Sequence, residues 1–286
     1  MYRIGIIGTE NSHALAFARL MNVEDQGREA RVVGIYGPDP DTPKRIQEEA
    51  GVDFIAQSPE DFLGKVDAMM ITCRKGSLHY GYAKPFLQKG MPLFIDKPIT
   101  SDWEQARELV REARASGSLL IGGSGCKYAY DVLLLRNAAD ALRREGKLLS
   151  ASVNFSADRD SVYDGFYFYA PHLTEIALAI FGDEIRSVRA DESAGGVTVL
   201  ARYDGFDVSL HYTKNSAVST AVLYGQDRNL VRELDISLIY RHEVDHFLDM
   251  LRTGRMPYSY ETLIKPVAVI SSILASLETR KEVPVP

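Results

Sequence analysis

Tyr2-Arg3-Ile4-Gly5-Ile6-Ile7-Gly8 runs from Met1 straight into a buried-strand pattern that stops on a glycine. A strand that ends on glycine and turns at once into a helix is the opening of a nucleotide-binding βαβ unit. The missing side chain lets phosphates approach the N–H groups at the helix N-terminus. The turn reads Gly8-Thr9-Glu10-Asn11-Ser12-His13, and further along Phe94-Ile95-Asp96-Lys97-Pro98 closes another short apolar run.

Working outward, residues 3–7, 31–36, 66–72, 92–95 and 119–122 read as strands, and 13–21, 41–50, 80–88 and 102–115 as the helices between them. Strands separated by helices in this rhythm require right-handed crossovers, hence a doubly wound parallel sheet. The rhythm then changes. Residues 150–156, 185–191, 197–203 and 206–212 are strand-like and joined by turns such as Asp204-Gly205, while helices are expected at 130–144, 171–181, 240–251 and 261–277. The expected architecture is α/β: a Rossmann domain over 1–123, then an α+β domain over 124–286 with an open, mainly antiparallel sheet. Apolar residues in 197–201 and 208–212 predict an oligomer interface on the open face, giving a homodimer or homotetramer.

Composition agrees with two ordinary cores: 286 residues, 45% hydrophobic and 25% charged. With 33 Lys+Arg against 39 Asp+Glu the net charge is -6, and no basic stretch interleaved with aromatics is present to neutralise a phosphate backbone, so no nucleic-acid partner is expected. No apolar run of spanning length and no cleavable leader is read, which predicts no membrane partner and a cytoplasmic location. Cys73 and Cys126 stand far apart without metal-type spacing, as in a reducing compartment.

The strand ending at Gly8, taken with Asp96-Lys97-Pro98, resembles the Gfo/Idh/MocA family (glucose-fructose oxidoreductase, inositol dehydrogenase, rhizopine catabolism), with Asp96 in place of the glutamate of its Glu-Lys-Pro signature. The resemblance implies an NAD- or NADP-dependent dehydrogenase acting on a secondary hydroxyl of a sugar, polyol or related small molecule. Its alternative is a degenerate member that binds a ligand without redox chemistry. In the family the first turn carries three glycines. Here only Gly8 matches, and Glu10 and His13 hold the second and third positions. Thr9, Asn11 and Ser12 can offer donors to the cofactor or merely cap the helix. Where an NAD-preferring fold places an acid at the end of strand two, this chain has Gly37, with Asp39 two residues later. Ile71-Thr72-Cys73-Arg74-Lys75-Gly76-Ser77-Leu78-His79 is similar to the family's Thr-Pro-Asn-x-x-His loop, so Cys73, Arg74 and His79 are candidate cofactor residues.

Lys97 is the first catalytic candidate. Pro98 forbids helical geometry before it, which holds the lysine extended at the carboxyl edge of the sheet to meet a substrate hydroxyl. Asp96 is expected to project the other way and meet the nicotinamide ribose, as the family's glutamate does. The second candidate comes from Phe168-Tyr169-Ala170-Pro171-His172-Leu173-Thr174-Glu175. This segment is similar to the family's Asp-x-x-x-His segment, with His172 matching and Phe168 replacing the aspartate. Glu175, three residues on, is on the same helix face and could reach the ring in its stead, the other reading being that His172 only caps the helix and Glu175 is a surface charge. Lys97 and His172 would then flank the reacting carbon. Tyr169, Lys127, Tyr128, Asp158 and Arg159 are weaker substrate candidates. His242-Glu243-Val244-Asp245-His246 matches a zinc-protease string, but no third ligand is evident and the family packs this helix on the second sheet, so no metal is expected.

Overall fold

The computed structural model describes residues 1–25 and 29–286, which form two compact units. The first holds a six-stranded sheet of β1 (Tyr2–Ile7), β2 (Ala30–Tyr36), β3 (Phe54–Ile55), β4 (Ala68–Ile71), β5 (Leu93–Asp96) and β6 (Leu120–Gly123), in the order β3-β2-β1-β4-β5-β6. Every pairing in it is parallel. Its crossovers carry α1 (Ser12–Arg19), α2 (Asp41–Ala50), α3 (His79–Leu87) and α4 (Trp103–Ser116). Helices on both faces explain why all four residues of β4 and of β5 are buried, and why these strands read as unbroken apolar runs. The strand order reverses between β1 and β4, so the loops that leave these two strands diverge at the carboxyl edge, where such folds take their ligands. They begin in contact. Gly8 has φ +107°, and a Cβ there would fall 2.3 Å from the Cys73 backbone nitrogen.

The second unit contains α5 (Tyr130–Arg144), β7 (Leu148–Ser156), α6 (Ala170–Phe181), β8 (Ser187–Ser193), β9 (Gly196–Arg202), β10 (Asp207–Thr213), β11 (Thr220–Gly225) and β12 (Asn229–Glu233). After α7 (Ile239–Thr253), discussed below, α8 (Tyr260–Thr279) and β13 (Val283–Pro284) complete the chain. The sheet order is β12-β11-β7-β10-β9-β8-β13, antiparallel except between β7 and β10. Residues alternate between its faces. Val153, Phe155, Val197, Val199, Ala201, Val208, Leu210 and Tyr212 are all buried. The reasoning for an apolar open face is therefore overturned, because the apolar half of each strand is the covered half. Across the other face one row of paired residues reads Val231, Val222, Ser152, Ser209, Leu200, Arg189, and its neighbour Glu233, Thr220, Asn154, His211, Thr198, Asp191.

A second expectation also fails. Tyr240–Ile264 belongs to the first unit, and the second comprises Ser124–Ile239 with Lys265–Pro286. Thus α7 belongs to the first core. Its Val244, Phe247 and Met250 enter the core that contains Ile4, Ile6, Phe17 and Phe94, and the Phe247 ring lies 6.1 Å from that of Phe94. The Tyr2 hydroxyl donates to the Leu251 carbonyl at 3.0 Å. By length and composition α8 could cross a membrane, which the sequence reading missed, but 56% of it is buried within the protein. Its apolar residues, including Leu263, Val267, Ile270 and Ile273, are core residues.

Candidate functional site

In the first unit the predicted residues converge around Asp96, the last residue of β5. Its carboxylate is wholly enclosed. Oδ1 accepts the Lys97 backbone N–H at 2.7 Å, and Oδ2 lies 2.7 Å from His13 Nδ1 and accepts from Asn11 Nδ2 at 3.2 Å. Complete burial pushes the Asp96 carboxyl up, yet the charge and hydrogen bond of His13, joined by Lys97 and His79, leave it below the usual carboxylate range. Asp96 thus does not wait for a ribose, as the resemblance implied. Its acceptors are spent on tying the turn after β1 to the backbone of Lys97. His13 was read only as a lost glycine. In the structure its ring is 8% exposed, packs 4.7 Å from the Tyr240 ring and places Nδ1 2.7 Å from the shorter acid.

Glu10 turns inward. Its Oε1 accepts the Arg74 backbone N–H at 3.0 Å, and its Oε2 is buried with no hydrogen-bond partner among the described residues. Asn11 occupies the N-cap position of α1, but no side chain caps that helix, because the Asn11 amide is directed to Asp96 instead. The first N–H groups of α1 are left without the side-chain acceptor that usually satisfies them. Thr9 Oγ1 bonds Thr42 Oγ1 at 2.9 Å and packs on Gly37, where a Cβ would fall 1.7 Å away. Asp39 does not replace the missing ribose acid. It accepts from Thr42 Oγ1 at 2.7 Å and caps α2 through the N–H groups of Asp41 and Thr42, which hold its carboxyl below the usual range. His79 is a structural bridge, fully buried with Nδ1 2.6 Å from the Pro98 oxygen and Nε2 2.8 Å from the Cys73 oxygen. The Cys73 thiol is pushed far above its ordinary range by burial, with Glu10 adding to it. Lys97 is 5% exposed.

A dinucleotide fits this frame in one respect: the uncapped α1 N-terminus follows the Gly8 turn with N–H donors for a diphosphate.

In the second unit His172 lies in the first turn of α6, 8% exposed. Glu175, three residues further along α6, is engaged by the loop after β6. Its Oε1 accepts the Ser124 backbone N–H at 2.7 Å and its Oε2 pairs with Lys127 Nζ at 2.7 Å. The group at His172 Nδ1 is the Ser124 hydroxyl at 2.7 Å, with Cys126 Sγ at 3.5 Å. Sequence reasoning did not single out Ser124. Its signal was its place directly after the last strand of a doubly wound sheet. Phe155 and Tyr169 flank the His172 ring at 5.3 and 5.6 Å, and Phe168 stacks edge-on against Tyr169 at 4.7 Å. Asp158 is not gathered here. It lies in an exposed loop 3.8 Å from Lys214, and Arg159 pairs with Glu192. Among the described residues, no group of three or more His, Cys, Asp or Glu is placed to hold a metal ion.

Comparison with known proteins agrees with this architecture. Residues 2–124 match the GFO_IDH_MocA model, described as an oxidoreductase family with an NAD-binding Rossmann fold. A search of curated proteins gave no match. Solved structures with the same fold over the full length include a probable dehydrogenase from Thermotoga maritima (15% identity, 99% of this chain and 98% of that one, TM-score 0.83). A myo-inositol 2-dehydrogenase from Lactobacillus plantarum (14%, 100% and 99%, 0.83) is another. A third is the WlbA dehydrogenase from Bordetella pertussis in complex with NADH and UDP-GlcNAcA (18%, 100% and 99%, 0.81). Residues 2–124 thus match the Gfo/Idh/MocA oxidoreductase family with its NAD-binding Rossmann fold, and the whole length has the fold of solved dehydrogenases.

Proposed function

We propose that this protein is an NAD- or NADP-dependent dehydrogenase that interconverts a secondary hydroxyl and a carbonyl on a sugar, polyol or related small molecule. The observation that carries this reading is the enclosed Asp96 carboxylate, which locks the turn after β1 to the backbone of Lys97 at the carboxyl edge of the sheet. The nicotinamide, when bound, supplies the hydride acceptor or donor. The remaining work falls to this chain. The N–H groups at the start of α1, past Gly8, bind the diphosphate, with Thr9, Ser12 and Arg74 beside it. Gly37 makes room for the Thr9 side chain, and with Asp39 occupied as a helix cap no acid there selects NAD over NADP. Lys97 holds the reacting oxygen and exchanges its proton. In the second unit His172 hydrogen-bonds a hydroxyl or carbonyl oxygen, Tyr169 offers an aromatic face, and the Lys127–Glu175 pair fixes the loop that carries Ser124.

We also place the protein in a reducing cytoplasm, where Cys73 and Cys126 stay reduced thiols, and assign it a homodimer or homotetramer through the open sheet face, on which Val231 and Tyr224 are exposed. Fluorescence titration with NADH and NADPH, followed by turnover on a panel of cyclitols and sugars, tests the function. Saturable binding with oxidation of at least one secondary alcohol is expected. Absence of both would transfer support to the non-redox binding reading, which Glu10 in the phosphate turn and Phe168 in place of an aspartate favour.

A further inference from the structure

The Ser124 hydroxyl decides what His172 can do. Ser124 is 1% exposed, and among the described residues its Oγ has two neighbours: the Cys126 backbone N–H, which it accepts at 3.2 Å, and His172 Nδ1 at 2.7 Å. The first consumes one lone pair. The hydroxyl proton then has a single acceptor within reach, the Nδ1 lone pair. Were Nδ1 to carry the ring proton instead, a buried O–H would be left without an acceptor, and buried donors are rarely left so. Cys126 Sγ, 3.5 Å from the same nitrogen, adds a second possible donor on that side.

We propose that Ser124 fixes the neutral His172 ring with its proton on Nε2, so that His172 meets its ligand as a hydrogen-bond donor. This differs from what a carboxylate at the same nitrogen would do. A histidine whose Nδ1–H is held by a carboxylate presents a bare Nε2 lone pair and can take a proton. Phe168 has removed that carboxylate, and Glu175 is occupied by the Ser124 N–H and Lys127. A ring with Nε2–H polarises a carbonyl or binds a hydroxyl oxygen through its lone pair, and it removes no proton from either. The inference rests on the dehydrogenase reading for its consequence, namely that the substrate proton is handled by Lys97 and that Ser124 is a positioning residue. The tautomer itself stands apart from that reading.

The test uses full-length protein labelled with 15N-histidine and long-range proton–nitrogen correlation at a pH where the ring is neutral. His172 is assigned among the six histidines by its loss in His172→Gln. The wild type is expected to show the Nε2–H pattern. Ser124→Ala should lower the ratio of Nε2–H to Nδ1–H about tenfold, the equivalent of one buried hydrogen bond. Ser124→Thr, which keeps the hydroxyl, should restore the ratio. An Nδ1–H pattern in the wild type, or an unchanged ratio in a folded Ser124→Ala protein, overturns the proposal. No substrate or cofactor enters the measurement, so a failure of the dehydrogenase reading in the turnover assay leaves this result interpretable by itself.

Discussion

Asp96→Asn is the substitution whose cost the structure defines best. The asparagine keeps the volume of the aspartate and can keep one oxygen on the Lys97 N–H, at present 2.7 Å away. Its amide nitrogen then replaces the oxygen that faces His13 at 2.7 Å and Asn11 at 3.2 Å. A hydrogen bond to a charged group is worth about 1.5–3 kcal/mol and the longer neutral-donor contact about 0.5–1 kcal/mol, so the first unit should lose roughly 2–4 kcal/mol. Trp103, the single tryptophan, opens α4 in that unit and reports its urea unfolding by fluorescence. A cycle with His13→Ala separates the pair from its surroundings: the histidine truncation should cost about 1.5–3 kcal/mol less in the asparagine background. The sign of the pH effect follows from the depressed carboxyl. Its stabilisation is complete above the unfolded carboxylate value, near 3.9, and is lost as pH falls through the lower folded value, so wild type and Asp96→Asn should converge only in acid. A variant within about 0.5 kcal/mol of wild type at neutral pH, or a cycle with no coupling, would refute the claim that Asp96 is bound from within.

Gly8→Ala should abolish soluble expression or destabilise the first unit by at least about 3 kcal/mol, since its Cβ meets the Cys73 backbone at a positive φ; purification and urea melts decide. Phe247→Ala should cost about 3–5 kcal/mol in the Trp103-reported transition, because α7 belongs to that core, and a fragment ending at Gly123 should show no cooperative melt by circular dichroism. Glu10→Gly should tighten NADH binding roughly threefold to tenfold, with a smaller gain at high salt, as a carboxylate leaves the phosphate turn; weaker binding in a fluorescence titration would mean that the Glu10 bond to the Arg74 N–H shapes the site. Lys97→Met and His172→Ala should each lower turnover on any identified substrate by roughly a hundredfold or more while leaving the NADH titration within about twofold; near-normal turnover in either removes that residue from the machinery.

Both sheets were legible where periodicity was strong. β4 and the first three residues of β5 are unbroken apolar runs because helices cover both faces, and the hairpin of β9 and β10 was marked by Asp204-Gly205. β12 was not, since four of its five residues are exposed and no buried face imposes alternation. The placement of α7 was hidden for another reason: an amphipathic pattern states that a face is buried, never which core receives it.

The candidate site shows the same division between what a position says and what its neighbours add. Taken singly, His13 and Asp96 are two departures from the family pattern, a lost glycine and a shortened acid. In space they answer one another at 2.7 Å, the imidazole filling the reach that the missing methylene gave up. His172 and Ser124 repeat this logic across an interval of 48 residues. The aspartate expected before the histidine is gone, and the group at Nδ1 comes instead from the end of β6, a hydroxyl in place of a carboxylate. A local motif read along the chain can register the loss only. The compensation resides in contacts between elements far apart in sequence, so the chemistry of this branch of the fold turns on pairs: Asp96 with His13 for the setting of Lys97, and Ser124 with His172 for the side of the ring on which the proton resides.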